Sequence, residues 1–273
     1  MPFFSRDNIE FHYLDRGDGV PVFFQHGLGG DAGKIFALLA LPPGFRLLSL
    51  DCRAHGKTGP LGPADELRFD SMADDLIALM DSLQIAHAVL GGTSMGAGVA
   101  LNCALRHRRR VVGLVLLRPA WLDVPNEANV ELFSFIARLI RYHGPHSALE
   151  VFKKSEPCLR IAKECPDAAE SLLALFLDPH ALETIDRLER IPRDVPNRGR
   201  SQWRRIAVPT LVLATRGDPI HPYEYGQALA QAIRGARFEQ LTSKSTNLAQ
   251  YTADLNRCLG DFLQSHFRSE SRL

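Results

Sequence analysis

One octapeptide restricts this chain more than any other stretch: Gly91-Gly92-Thr93-Ser94-Met95-Gly96-Ala97-Gly98. It follows an apolar run, His87-Ala88-Val89-Leu90, and leads into a helical pattern from Val99 to Leu105. Gly92-x-Ser94-x-Gly96 is the spacing of a sharp strand-to-helix reversal that holds a serine hydroxyl at its tip. Such a turn puts the serine in a strained backbone conformation, and a Cβ on either flank would strike the neighbouring strand or helix. The helix that starts behind Ser94 aims backbone N–H groups and a positive dipole end at any oxyanion formed there. G-x-S-x-G on its own also occurs as an ordinary glycine-rich turn. Its surroundings decide the matter.

Before the turn, Ile9 to Leu14 alternates as an edge strand does, and Arg16-Gly17-Asp18-Gly19 reverses it. Pro21 to Gln25, Phe45 to Leu50 and Val111 to Leu117 are short apolar runs suited to strands buried on both faces. Helical patterns lie between them: Lys34 to Leu41, stopped by Pro42-Pro43-Gly44, and Ser71 to Leu83. Arg106-His107-Arg108-Arg109-Arg110 reads as basic residues closing a helix, where they complement its dipole.

From Asp123 to about Trp203 only helical patterns occur: Val130 to His143, Ala148 to Lys154, Ala168 to Phe176 and Ala181 to Ile191. Gly144-Pro145, Pro157, Pro166, Pro179 and Pro192 separate them. Alternation then resumes with a strand at Thr210 to Ala214, a helix at Tyr223 to Ile233, a strand at Ala236 to Leu241 and a helix at Ala249 to Leu263. This order implies an α/β fold, a doubly wound, mostly parallel sheet with an inserted helical cap. The core is expected over 1–121 and 204–273, and the cap over 122–203. In such sheets ligands bind beyond the carboxyl ends of the strands. His26-Gly27, Asp51, Ser94, Arg118 and Asp218 all fall just past strand ends, so they are expected to converge on one edge.

Composition removes several functions. Lysine and arginine exceed aspartate and glutamate by one, which gives no reason to expect a nucleic acid or an acidic membrane as partner. Five scattered cysteines without a C-x-x-C pair suit free thiols in a reducing compartment. The first residues lack a secretory pattern and no apolar run approaches membrane-spanning length, so the expected location is the cytoplasm. No His/Cys/Asp cluster has metal-ligand spacing, and Gly27-x-Gly29-Gly30 lacks the third glycine and partner acid of a dinucleotide loop. Neither a metal nor another cofactor is expected, and the expected partner is a small-molecule substrate.

The glycine-rich loop after His26, the Asp51-x-Arg53-x-His55-Gly56 segment, the serine turn, the helical insertion and the late Asp218 follow one another in a known order. Through these features the chain resembles the α/β-hydrolase family over nearly its whole length. The resemblance implies Ser94 as nucleophile, with an oxyanion hole formed by the backbone N–H groups of Leu28 and Met95. It implies Asp218 as the acid that orients a catalytic histidine, and a scaffold role for Asp51, Arg53 and His55. The activity implied is hydrolysis of a small to medium apolar ester, lactone or related acyl compound.

One position departs from the family pattern. The loop before the last helix, where the family carries its histidine, reads Thr242-Ser243-Lys244-Ser245-Thr246-Asn247-Leu248, and no histidine occurs between His221 and His266. A serine hydroxyl is a poor nucleophile unless a base takes its proton. The candidates are a histidine of the insertion (His143, His146 or His180), His221 on the Asp218 loop, and Lys244. His221 is cramped by its closeness to Asp218. Lys244 requires burial to bring its pKa down from about 10.4. Alternatively the pocket serves non-hydrolytic chemistry of lyase, cyclase or cofactor-free oxygenase type, or only binds a small molecule. Arg118, a cation at a strand end, and the aromatic Trp121 beside it are further candidates for binding substrate, the arginine by holding a carboxylate.

Overall fold

The computed structural model describes residues 2–125 and 128–267. In chain order the strands are β1 (Phe3–Arg6), β2 (Ile9–Arg16), β3 (Val20–Gln25), β4 (Phe45–Leu50), β5 (Ala88–Thr93), β6 (Val111–Leu117), β7 (Thr210–Ala214) and β8 (Arg237–Gln240). They form one sheet in the order β1-β2-β4-β3-β5-β6-β7-β8. β1 and β2 pair antiparallel, and β2 is antiparallel to β4, while every pairing from β4 to β8 is parallel. The Ile9 strand is not the edge. Phe3 to Arg6 pairs outside it, in a stretch too short to show an alternating pattern.

Helices cover both faces, which explains why the central runs are apolar throughout rather than alternating. On one side lie α2 (Phe69–Ser82), α3 (Met95–Arg106) and α8 (Tyr223–Ala232), packed through Leu76, Met80, Val99 and Leu229. On the other, α1 (Ala32–Leu38) and α9 (Leu248–Phe267) bury Ile35, Leu255, Leu259 and Phe262 against β3, β4, β6 and β7.

Between β6 and β7 the described residues contain no strand. Four α-helices lie there among the described residues, α4 (Glu131–Lys153), α5 (Glu156–Glu164), α6 (Pro166–Leu173) and α7 (Arg187–Arg190), with short 3-10 turns between and after them. Two helices expected separately run together as α4, kinked at Gly144 (φ 72°) ahead of Pro145. Pro157, read as a breaker, instead lies in the first turn of α5, where a missing N–H costs no helical bond. The helix expected over 181–191 shrinks to the four residues of α7. Thr184 Oγ1 donates to the His180 carbonyl at 2.8 Å and Pro192 closes the segment, both of which work against a regular ladder. This helical segment lies over the carboxyl ends of the strands, and Phe133, Ser171, Leu172 and Ala174 form a wall of the cavity that Ser94 lines.

Candidate active site

β5 ends at Thr93, α3 begins at Met95, and Ser94 carries the whole reversal at φ 56°, ψ −116°. That conformation is disfavoured for a residue with a Cβ and persists only where the surroundings over-determine it. Here the two glycines do so. A Cβ on Gly92 would lie 2.3 Å from the Gly96 carbonyl carbon, and one on Gly96 would lie 2.2 Å from the Gln25 carbonyl oxygen. The Ser94 N–H donates to Leu117 O at 3.0 Å, tying the turn to β6. Ser94 lines a cavity of about 490 Å³ at the sheet's carboxyl edge.

The loop after β3 closes against the serine, with the Gly27 Cα carrying no Cβ where one would touch Ser94 Cβ at 3.3 Å. His26 fixes this loop. Its Nε2 accepts from the Cys52 N–H at 3.0 Å, so Nδ1 carries the proton and donates to Gly27 O at 2.8 Å. Complete burial lowers the His26 pKa and keeps the ring neutral, as that arrangement requires. Leu28 lines the cavity, and Met95 is the first residue of α3, whose N–H has no partner within the helix. Asp51, Arg53 and His55 lie in the adjoining loops. Asp51 accepts from the Ala32 N–H at 2.6 Å, Arg53 is paired with Asp75 at 2.6 Å, and His55 bonds its neighbour Arg53 O at 2.8 Å.

Charge gathers on the other side of the cavity. Asp218, in the loop after β7, accepts at Oδ1 from the N–H groups of Ile220 (3.1 Å) and His221 (3.2 Å). Its Oδ2 takes His221 Nδ1 at 2.8 Å, Arg118 Nε at 3.0 Å and Arg118 Nη2. Burial alone would raise the Asp218 pKa, but His221 and Arg118 outweigh it and hold the carboxyl well below the usual range. An ionised Asp218 can only accept, so His221 Nδ1 carries the proton and Nε2 has the lone pair. Burial lowers the His221 pKa, against the opposing pull of Asp218, with Arg118 adding to the lowering. A neutral imidazole of this tautomer is a base. His221 lines the same cavity as Ser94, and so does Lys244. Burial, followed by the nearby Arg118 charge, lowers the Lys244 pKa.

The other candidates fall elsewhere. His143 and His146 are exposed on α4, and His180 is exposed beside Glu183 at 2.9 Å; none lines the cavity. Trp121, a candidate for contacting substrate, is instead core: it is 1% exposed, stands edge-on to Phe69 at 5.5 Å and does not line the cavity. An indole of that size fills the junction between the sheet and α2, where its apolar area is removed from water. Arg118 does reach the cavity, but its guanidinium is committed to Asp218, to Asp167 of α6 at 3.4 Å and to the Tyr251 hydroxyl. Its backbone, at φ 45°, turns the chain off the end of β6.

Three residues of this region carried no signal in the sequence. Asp167 binds the insertion to the core, accepting from Arg118 and, at 2.5 Å, from Ser245 Oγ. Tyr251 and Lys34 line the cavity from α9 and α1. Each reads in isolation as a surface or core residue of a helix. Among the described residues no group of three or more His, Cys, Asp or Glu side chains is placed to hold a metal ion.

A family model described as the α/β hydrolase fold matches residues 20–253. The AB hydrolase superfamily protein YisY of Bacillus subtilis is 25% identical over 275 residues, covering 91% of this chain and 97% of that protein. The non-heme chloroperoxidase CPO-A1 of Kitasatospora aureofaciens is 28% identical over 276 residues, 95% of this chain and 98% of its own. Among solved structures, a thermophilic esterase from Thermogutta terrifontis superposes with a TM-score of 0.69 at 25% identity, over 95% of this chain and 97% of that one.

Proposed function

This chain belongs to the α/β-hydrolase fold family, and we propose that it is a serine hydrolase of small to medium esters, lactones or related acyl compounds whose general base is His221. One observation carries the assignment of the base: an imidazole held through Nδ1 by a buried carboxylate at 2.8 Å, in the cavity that Ser94 also lines. That is the carboxylate-to-imidazole relation a serine triad needs, obtained from the Asp218 loop itself instead of from the loop before the last helix.

In the proposed reaction Ser94 Oγ attacks the acyl carbonyl and His221 Nε2 takes its proton. Asp218 stabilises the resulting imidazolium and keeps the ring in its tautomer. The N–H groups of Met95 and Leu28 receive the charge that develops on the carbonyl oxygen. The imidazolium then protonates the departing alcohol, and a water activated by the same nitrogen releases the acyl group from Ser94. The ready-made strain at Ser94 keeps its hydroxyl on the cavity side throughout.

A fluorophosphonate tests the nucleophile: the wild-type protein should acquire one adduct and Ser94→Ala none. A folded wild-type protein that takes up no adduct would favour a pocket that only binds. The pH–rate profile tests the base. With His221, kcat/KM should be flat near neutrality and fall on an acid limb below pH 6.5, because burial lowers that pKa. A profile still rising on the alkaline side of neutrality would assign the base to Lys244 instead.

A further inference from the structure

The cavity beside Ser94 is lined by three charged side chains, Lys34, Arg118 and Lys244, and by no aspartate or glutamate among the described residues. Their positive charges are not equivalent. Arg118 is neutralised from behind by Asp218 and Asp167, as set out above. Lys244 is half-buried, and its ammonium has no carboxylate within salt-bridge distance among the described residues; Asp167 and Asp218 attract it from farther off, and it lies 5.6 Å from the Tyr251 ring. Lys34, on the first turns of α1, donates only to the Gly29 carbonyl at 3.1 Å. The Asp31 carboxylate close to it in sequence is occupied in capping α1 through the Lys34 N–H.

The two ammonium groups reach the cavity from separate segments. Lys34 shares its wall with Ala37 and Leu38 of α1, and Lys244 shares its wall with Leu248 and Thr252 of α9. Asn256 of α9 bonds to the α1 chain at Leu38 O (3.1 Å) and Ala40 N (2.8 Å), so the two segments are fixed to one another. Apolar side chains, among them Ile35, Phe133, Leu172 and Ile220, make up much of the remaining surface. Lys34 is exposed and keeps its hydration, whereas the half-buried Lys244 has lost part of its own, which Asp167 and Asp218 offset only from beyond salt-bridge distance. An anion brought in by a ligand supplies a direct partner, and low-dielectric walls strengthen the attraction.

From this charge pattern we infer that the acyl substrate carries a free carboxylate, bound by Lys244 and Lys34 while Ser94 attacks its ester or lactone carbonyl. The inference rests on the hydrolase reading and narrows it: the substrate is a half-ester of a dicarboxylic acid or a lactone bearing a free carboxylate, and the two lysines hold that carboxylate in place of Arg118. Arg118 contributes through Asp218 and His221 and does not itself hold the carboxylate. The apolar wall then takes the hydrocarbon part of the acid.

Two measurements separate this inference from the reading beneath it. Hydrolysis of monomethyl glutarate and of methyl pentanoate, which differ in the terminal carboxylate, is followed in a pH-stat at low ionic strength. The wild-type protein is expected to prefer the half-ester at least tenfold in kcat/KM. Lys244→Gln and Lys34→Gln should each cut that ratio several-fold, the double variant should abolish it, and 0.5 M salt should compress it. Glutarate is also titrated calorimetrically into the wild-type protein and both variants, a readout that needs no turnover. Binding by the wild type that is weakened in the variants supports the inference even if neither ester is hydrolysed, an outcome that would sink the hydrolase reading alone. Equal or better hydrolysis of methyl pentanoate, with no glutarate binding, overturns the inference and leaves the hydrolase reading standing. A ratio unchanged in the double variant also overturns it, since a lysine acting as base would slow both esters alike.

Discussion

The two sides of the cavity are built on different principles. On the Ser94 side, backbone geometry does the work: Ser94 is forced into place by glycines at 92 and 96 and by strands that close on them within van der Waals distance. On the Asp218 side no glycine pair packs the backbone in this way; Arg118, Asp218 and Asp167 hold one another by charge, and Asp218 holds His221 by a hydrogen bond. The first arrangement centres on the five residues from Gly92 to Gly96, closed by the backbone of β3 and β6. The second spans a hundred, since Arg118 leaves β6 and Asp218 follows β7 with the whole helical segment between them. A steric device tolerates a change of pH or salt but no change of shape. An electrostatic one accepts small shifts of backbone and fails when one charge is removed.

The sharpest way to break this contrast is His221→Ala. If the Asp218 side is as proposed, kcat/KM should fall by about three orders of magnitude, as removal of a triad base does. The fold should survive, which far-UV circular dichroism would show. A loss below tenfold would remove His221 from the mechanism.

Next in size is Arg118→Met. It leaves Asp218 buried with one partner fewer, and breaking a buried pair in this way costs about 3–5 kcal/mol. Urea denaturation should register that loss. A change within experimental error would mean that the cluster contributes little beyond the desolvation it suffers.

On the steric side, Gly96→Ala should destabilise by about 2–3 kcal/mol, the expense of forcing a methyl into close-packed backbone. For a chain of this size that lowers Tm by roughly 4–12 °C. High salt should leave this penalty unchanged, whereas it should modulate any residual activity of the Arg118 variant.

The smallest effect is in pH. Burial lowers the pKa values of His26, His55 and His221, so all three are neutral in the folded protein. Once unfolded they titrate near 6.5, and below that pH the unfolded chain binds more protons than the folded one. Stability should therefore decline as pH falls below 6.5 towards the lowered native values and be indifferent to these groups above it. Asp218, depressed by its cationic partners, adds a separate loss at more acid pH, below the ordinary carboxylate value of 3.8. Urea midpoints at pH 7.5, 6.0 and 5.0 would follow the histidine window, and equal midpoints at all three would disprove it.

The contrast also governs what could be read from the sequence. Strand runs such as Val111 to Leu117 and the glycine spacing around Ser94 express short-range rules, hydrophobic burial and steric exclusion, and the structure places both where those rules put them. The same rules misled where context intervened: Pro157 looked like a stop but sits harmlessly in the first turn of α5, and Trp121 looked available but is needed for packing. His221 was cramped by its closeness in sequence to Asp218. The loop after β7 folds so that this closeness brings ring and carboxylate to 2.8 Å.

By itself, then, the sequence determined the order of strands and helices, the parallel sheet they imply and the serine on its glycine hinge. Periodicity and the size of a side chain are properties of neighbouring residues, so no distant contact is required to read them. Only the tertiary structure decided which imidazole meets Asp218, that Arg118 is already spoken for, and that Lys34 and Lys244 look onto one cavity whose lining carries no acidic side chain among the described residues. Those are statements about charged and polar groups as far apart in the chain as Lys34 and Lys244, and Coulomb attraction depends on distance through space, which the linear order of residues does not record.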